Sequence, residues 1–140
     1  MNVKSAVYFV LTGIIVIMMG CGSGSKYSDF VEVNTKFLGA MEAYITAMGE
    51  ADSAKEVAKA INEYSDELEK IVPQIKKVMD KYPELQNTTE VPEELKSIER
   101  RSKDLEQKVA NSYKNMMKYM MDPEVQAAQQ RLQKAMLGLR

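Results

Sequence analysis

An all-α fold, an antiparallel up-down-up-down four-helix bundle with a shorter fourth helix, follows from three features of the chain. Apolar residues recur at alternating steps of three and four in four segments after Lys26, the spacing that collects side chains on one helix face. Cap and turn residues punctuate these segments at Gly49 to Ser53, Pro83 to Pro92 and Asp122-Pro123, so each segment is one helix and the first and third links are short. About 120 residues follow the N-terminal apolar run, enough for one domain that buries roughly two thirds of its unfolded surface.

In the first segment Phe30, Phe37, Met41, Tyr44 and Met48 form the stripe, Asn34 fills its gap, and Val31, Leu38 and Ile45 widen it. Helix one is expected from about Ser28 to Met48, with Gly49 as its stop. Ser53 and Glu56 then spell an S-x-x-E capping box, and so short a link folds the second helix back on the first. Helix two carries the longest seam, Ala54, Val57, Ile61, Tyr64, Leu68, Ile71, Ile75, Val78 and Tyr82, which asks for partner helices along its length. Pro73 lies inside it. A proline there removes a backbone hydrogen bond and clashes with the carbonyl four residues earlier, costing about 3 kcal/mol in an isolated helix. Because the seam keeps its phase across Pro73, a kink is expected in one helix about 40 Å long, not a break.

Pro83 to Val91 is the substantial loop, with Asn87-Thr88-Thr89 as turn residues and Pro92 suited to the first position of helix three. Leu95, Ile98, Ser102, Leu105, Val109, Tyr113, Met116 and Met120 make the expected buried face of that helix, and Glu99 with Lys103 and Asp104 with Lys108 its i,i+4 ion pairs. Asp122-Pro123 ends it and caps the next helix, where Val125, Ala128, Leu132, Ala135 and Leu139 form the inner stripe. In layout the chain looks like the cytochrome c-prime type of haem bundle. The likeness is of architecture alone, since those proteins need an axial histidine and the c-type members C-x-x-C-H. This chain has no histidine and one cysteine, so haem is not expected.

The N-terminal residues carry a different signal. A basic Lys4, an apolar run from Ala6 to Met19 and the small Gly20 before the sole cysteine are the three parts of a secretory leader. The run falls short of the about 20 apolar residues that a spanning helix needs. Ile17-Met18-Met19-Gly20-Cys21 resembles the lipobox of bacterial membrane lipoproteins, which signal peptidase II cuts, although Met18 and Met19 stand where that family usually has Leu and then Ala, Ser or Thr. The resemblance implies a signal peptide over residues 1–20 and a diacylglyceryl thioether on Cys21. In diderm bacteria it adds an acyl chain on the amino group, giving the two or more chains that stable anchoring takes. Gly22, in place of the Asp that favours inner-membrane retention, leans toward an outer membrane facing the periplasm. Residues 21–26 are then the lipidated cysteine with a Gly-Ser tether, and 27–140 the bundle domain.

Composition excludes more chemistry than it supplies. The 19 basic residues, one of them Lys4 in the leader, face 20 acidic ones without a basic stripe, so nucleic acid is not an expected partner. Without histidine there is no imidazole base, and with Cys21 acylated no thiolate and no disulfide, so the chain is not expected to be an enzyme. The carboxylates lie mostly off the apolar seams, unlike the inward Glu and Glu-x-x-His of ferritin-like di-metal bundles.

One cluster stands out, Met116-Met117-Lys118-Tyr119-Met120-Met121, a double i,i+4 pair of thioethers. Soft thioethers select Cu(I), so Met116, Met117, Met120 and Met121 are candidate copper ligands; the competing reading makes them core fillers and a pliable cover for a partner. The leading expectation is a non-catalytic interaction module, held at the membrane by its lipid and offering a groove to a protein partner in the envelope, as a pilotin, assembly factor or inhibitor does. With helix four short, exposed apolar surface is expected at the far ends of helices two and three, near Ile75, Val78, Met79, Leu95 and Ile98. A third reading, a small apolar ligand or lipid between the helices, requires an interior pocket of about 300 Å³ or more. The long heptad seams also permit a homodimer.

Overall fold

Residues 26–86 and 90–138 are described by a computed structural model, all-helical within those residues, in which four helices pack together. The expected signal peptide, Cys21 and the expected tether as far as Ser25 lie outside the described residues, as do Asn87 to Thr89 and Leu139. Helix α1 (Ser28–Glu50) runs through Gly49 and ends where Ala51 turns to extended backbone and buries its methyl group. Helix α2 (Ala54–Lys81) begins at Ser53, whose Oγ accepts the Glu56 N–H at 3.4 Å. The Glu56 carboxylate accepts the N–H of Asp52 at 2.9 Å, one residue before the position a capping box would use. Pro73 sits on the exposed side of α2, and the helix continues through it to Lys81.

Short 3₁₀ turns at Pro83–Gln86 and Glu93–Leu95 flank the long link. The second of them separates Pro92 from helix α3 (Lys96–Tyr119), so Pro92 precedes the helix instead of opening it; its carbonyl accepts the Leu95 N–H at 2.8 Å. Helix α4 (Pro123–Leu137), the shortest at 15 residues, has Pro123 in its first turn and the Asp122 carboxylate accepting the Glu124 N–H at 2.9 Å.

α2 packs most extensively, against α1 on one side and α4 on the other; α3 lies mainly on α1. α3 and α4 follow one another in the chain yet barely touch. The buried apolar residues form two clusters. One joins Phe30, Phe37 and Leu38 of α1 to Leu68, Ile71 and Ile75 of α2 and to Ile98 and Leu105 of α3. The other, at the α1–α2 turn, gathers Met48, Val57 and Ile61 around Val125 and Ala128 of α4. Leu132 packs against both. Each fully buried Leu, Ile or Met adds about 1.5–3 kcal/mol by leaving water. Gly138 lets the end of α4 approach α2, since a Cβ there would lie 3.0 Å from Val72 Cγ1.

Buried polar side chains bond back to their own helix. Ser65 Oγ donates to the Ile61 carbonyl at 2.8 Å and Asn34 Nδ2 to that of Phe30 at 2.7 Å, leaving Asn34 Oδ1 buried without a hydrogen bond. Between helices, Lys81 pairs with Asp29 at 2.5 Å and Lys26 with Glu84 at 2.7 Å, while the Tyr82 hydroxyl donates to the Lys26 carbonyl at 2.8 Å. Arg101 grips Glu42, and Arg131 bridges Asp66 and Glu69. Of the two ion pairs expected along α3, Glu99 and Lys103 meet at 2.6 Å. Asp104 and Lys108 form none among the described residues; both are exposed, where hydration competes with pairing.

Candidate docking surface

The C-terminal half of α3 divides sharply between an inner and an outer face. Inward, Ser112 is buried, and Met116 and Tyr119 are half-buried against the second cluster. Asn115 Nδ2 donates to the Met48 carbonyl at 2.8 Å and to that of Ala51 at 3.3 Å, satisfying acceptors that the end of α1 leaves without helical partners. The Tyr119 hydroxyl donates to the Asp52 carbonyl. The end of α3 is therefore latched to the α1–α2 turn by two side chains that read backbone.

Outward lies the largest group of exposed apolar side chains among the described residues: Tyr113 at 53 %, Met117 at 60 %, Met120 at 38 % and Met121 at 80 % exposure. Tyr113 and Met117 fall four apart on the last turns of the helix, and Met120 and Met121 extend the strip into the turn that follows it. The strip is bare because α4, the neighbour that would cover it, is drawn to α2 by Ala128, Ala135 and the Arg131 bridges. Tyr113 and Met120, expected on the buried face of helix three, are thus corrected to the water side, and Ser112 takes the inward position. Lys114 and Lys118 edge the strip, with the Lys118 ammonium 4.7 Å from the centre of the Tyr119 ring.

Beneath the strip, Tyr44 and Tyr64 stack with ring centres 4.8 Å apart between α1 and α2. Burial, reinforced by the neighbouring Tyr113, pushes the Tyr44 phenol up to about 12, and burial raises Tyr64 in the same way. These phenols stay neutral at any ordinary pH, so they serve as packing surface and not as acids or bases.

The surface expected at Ile75, Val78, Met79, Leu95 and Ile98 is not exposed. Ile75, Val78, Leu95 and Ile98 are 2 %, 5 %, 6 % and 0 % exposed, and Met79 is half-buried against the same cluster. The short α4 does not bare this end, because the start of α1 closes it. Tyr27 and Phe30 pack edge-on against Tyr82, ring centres 5.2 and 6.2 Å apart, and Leu85 and Val91 of the link fold over the cluster. The methionine cluster is split: Met116 turns inward, while Met117, Met120 and Met121 face water. Cys21, the expected lipidation site, lies outside the described residues.

A depression between α2 and α4 has a floor of Ala58, Ala127 and Ala128 rimmed by Lys55, Lys59, Asp66 and Arg131, an open groove on the outer surface and not an enclosed interior pocket. Among the described residues no group of three or more His, Cys, Asp or Glu side chains is placed to hold a metal ion, and no helix is long and apolar enough to cross a membrane. No protein-family model, curated protein or solved structure matches this chain.

Proposed function

We propose that the protein is a non-catalytic binding module, anchored in the bacterial envelope by lipid on Cys21, that docks through the outer face at the end of α3. The exposed strip Tyr113, Met117, Met120 and Met121 carries this reading: the inner face of the same helix is already satisfied, while Met117 and Met121 stand mostly in water. The anchor rests on the leader and on Ile17-Met18-Met19-Gly20-Cys21. An up-down-up-down course belongs to the same reading. It is supported by Asp29 meeting Lys81, by Glu42 and Met48 meeting Arg101 and Asn115 in the same order, and by Asp66 and Glu69 meeting Arg131. A bend of α2 at Pro73 belongs to that reading too, supported by the proline lying inside a helix that runs on to Lys81. On that course the tether joins one end of the bundle and the strip lies toward the other, about 35 Å away along the 23 residues of α1.

Two measurements test the two halves. Intact-mass analysis of the membrane fraction is expected to find Cys21 carrying diacylglycerol; a bare thiol overturns the anchor. A photo-crosslinking residue at position 117 is expected to capture a neighbour in intact cells while one at the exposed position 76 does not; equal capture from both overturns the docking face.

The water-accessible thioethers of Met117, Met120 and Met121 support a second reading, Cu(I) binding. Replacing all three with Leu keeps the apolar strip and removes the sulfur donors. Competition with a chromophoric chelator is expected to show Cu(I) affinity lost in that variant if copper is the ligand, and affinity unchanged by the substitutions excludes it.

A further inference from the structure

We infer that the α3 strip seats on an anionic lipid bilayer, an assignment that rests on the reading of this strip as the docking face. Residues 107–121 contain Lys108, Lys114 and Lys118 and no Asp or Glu, in a chain whose acidic residues outnumber its basic ones. Among the described residues none of the three lysines pairs with a carboxylate, and of the two acids that bound the segment, Glu106 and Asp122, the second is occupied in capping α4. Stepping 100° per residue from Tyr113, Met117 lies about 40° round the helix and Lys114 and Lys118 about 100° and 140° on the same side, with Met120 and Met121 following in the turn after the helix. The result is a basic rim along one edge of an apolar strip, the pattern of a helix that lies in a membrane interface with its lysines reaching the headgroups.

Size and charge decide between occupants. The strip is four side chains at the end of one helix and in the turn after it, while a stable protein partner or second copy takes about 800 Å² from each side. An antiparallel two-fold pair through this strip would also set the lysine rims of two copies near each other. A bilayer needs neither a large matched surface nor a fixed geometry. It accepts a shallow apolar wedge, gains from each lysine near anionic headgroups, and suits the interfacial preference of tyrosine, which Tyr113 supplies. Flexible methionines adapt to the irregular acyl boundary. With the tether at the opposite end, contact through α3 would lay the bundle along the membrane instead of standing it on its anchor.

The chain has no tryptophan, so Met121→Trp in the full-length protein places one indole at an 80 % exposed position as the sole reporter. Mixed with vesicles of phosphatidylglycerol and phosphatidylcholine, it is expected to shift its emission to the blue and be quenched by brominated acyl chains. Vesicles of phosphatidylcholine alone are expected to give little change, and molar salt to reverse the shift. Adding Lys114→Gln and Lys118→Gln is expected to weaken partitioning by about thirtyfold, while a Lys76→Trp reporter stays solvent-exposed and an unchanged helical circular dichroism spectrum verifies the fold. No shift on anionic vesicles overturns the inference, as does an equal shift on neutral ones. A shift that appears without vesicles and grows with protein concentration overturns it in favour of a second copy. Sedimentation with vesicles without a shift leaves the anchor standing and removes the bilayer from this face; a shift in a chain whose Cys21 is bare does the reverse.

Discussion

At the residue scale, the costliest single changes lie where side chains are buried or read backbone. Ile98→Ala opens a cavity at a fully buried position and is expected to lose about 2–5 kcal/mol in urea unfolding, whereas Met121→Gln on the bare strip changes stability by about 0.5 kcal/mol or less. Asn34→Leu is expected to stabilise the fold by about 1 kcal/mol, because it removes a buried carbonyl oxygen that has no hydrogen bond. Asn115→Ala leaves the Met48 and Ala51 carbonyls unpaired, at about 1–3 kcal/mol. Asp29 provides a pH signature. Hydrogen bonds from Lys81 and Tyr82 hold its carboxyl at about 2, below its ordinary 3.8. A carboxylate depressed by folding adds stability that is complete above the unfolded value and is lost as pH falls from about 4 to 2. Solvent screening limits that contribution to about 1 kcal/mol, and Asp29→Asn should flatten this segment of a stability-versus-pH curve.

At the element scale, what the sequence made legible was set by local physics. The seam of α2 reads directly because a helix buried between two others must repeat its apolar residues at three and four, and the Ser53 and Asp122 caps read directly because orphan amides need acceptors nearby. Replacing Ser53 with Ala is expected to remove about 1 kcal/mol, measured as a lower urea midpoint with unchanged slope. Periodicity names a face but not the neighbour that covers it. Tyr113 and Met120 continue the stripe of Ile98 and Leu105, and only the departure of α4 toward α2 leaves them in water. Ile75, Val78, Leu95 and Ile98 failed as a surface for the complementary reason, since aromatic rings from the start of α1 and from Tyr82 close an end that helix lengths alone would leave open. The Asn115 latch reaches backbone 67 residues away, and no local pattern announces such a bond. The lysine-only composition of residues 107–121 was present in the sequence all along and acquires meaning only once the strip beside it is seen to be bare.

At the scale of the whole molecule, α4 holds a disproportionate place. It is the shortest helix, yet Val125 and Ala128 complete one apolar cluster, Ala135 enters the other, and Leu132 touches both. Removing residues 123–140 is therefore expected to abolish the cooperative unfolding transition and to produce a chain that binds a hydrophobic dye, a result read by calorimetry and dye fluorescence. The same arrangement bears on biogenesis. A polypeptide threaded through a secretion channel must stay extended until its tail has emerged. On the proposed reading of the leader as an export signal, the cluster that Val125 and Ala128 complete stays open until α4 has been made, which favours an extended chain during passage.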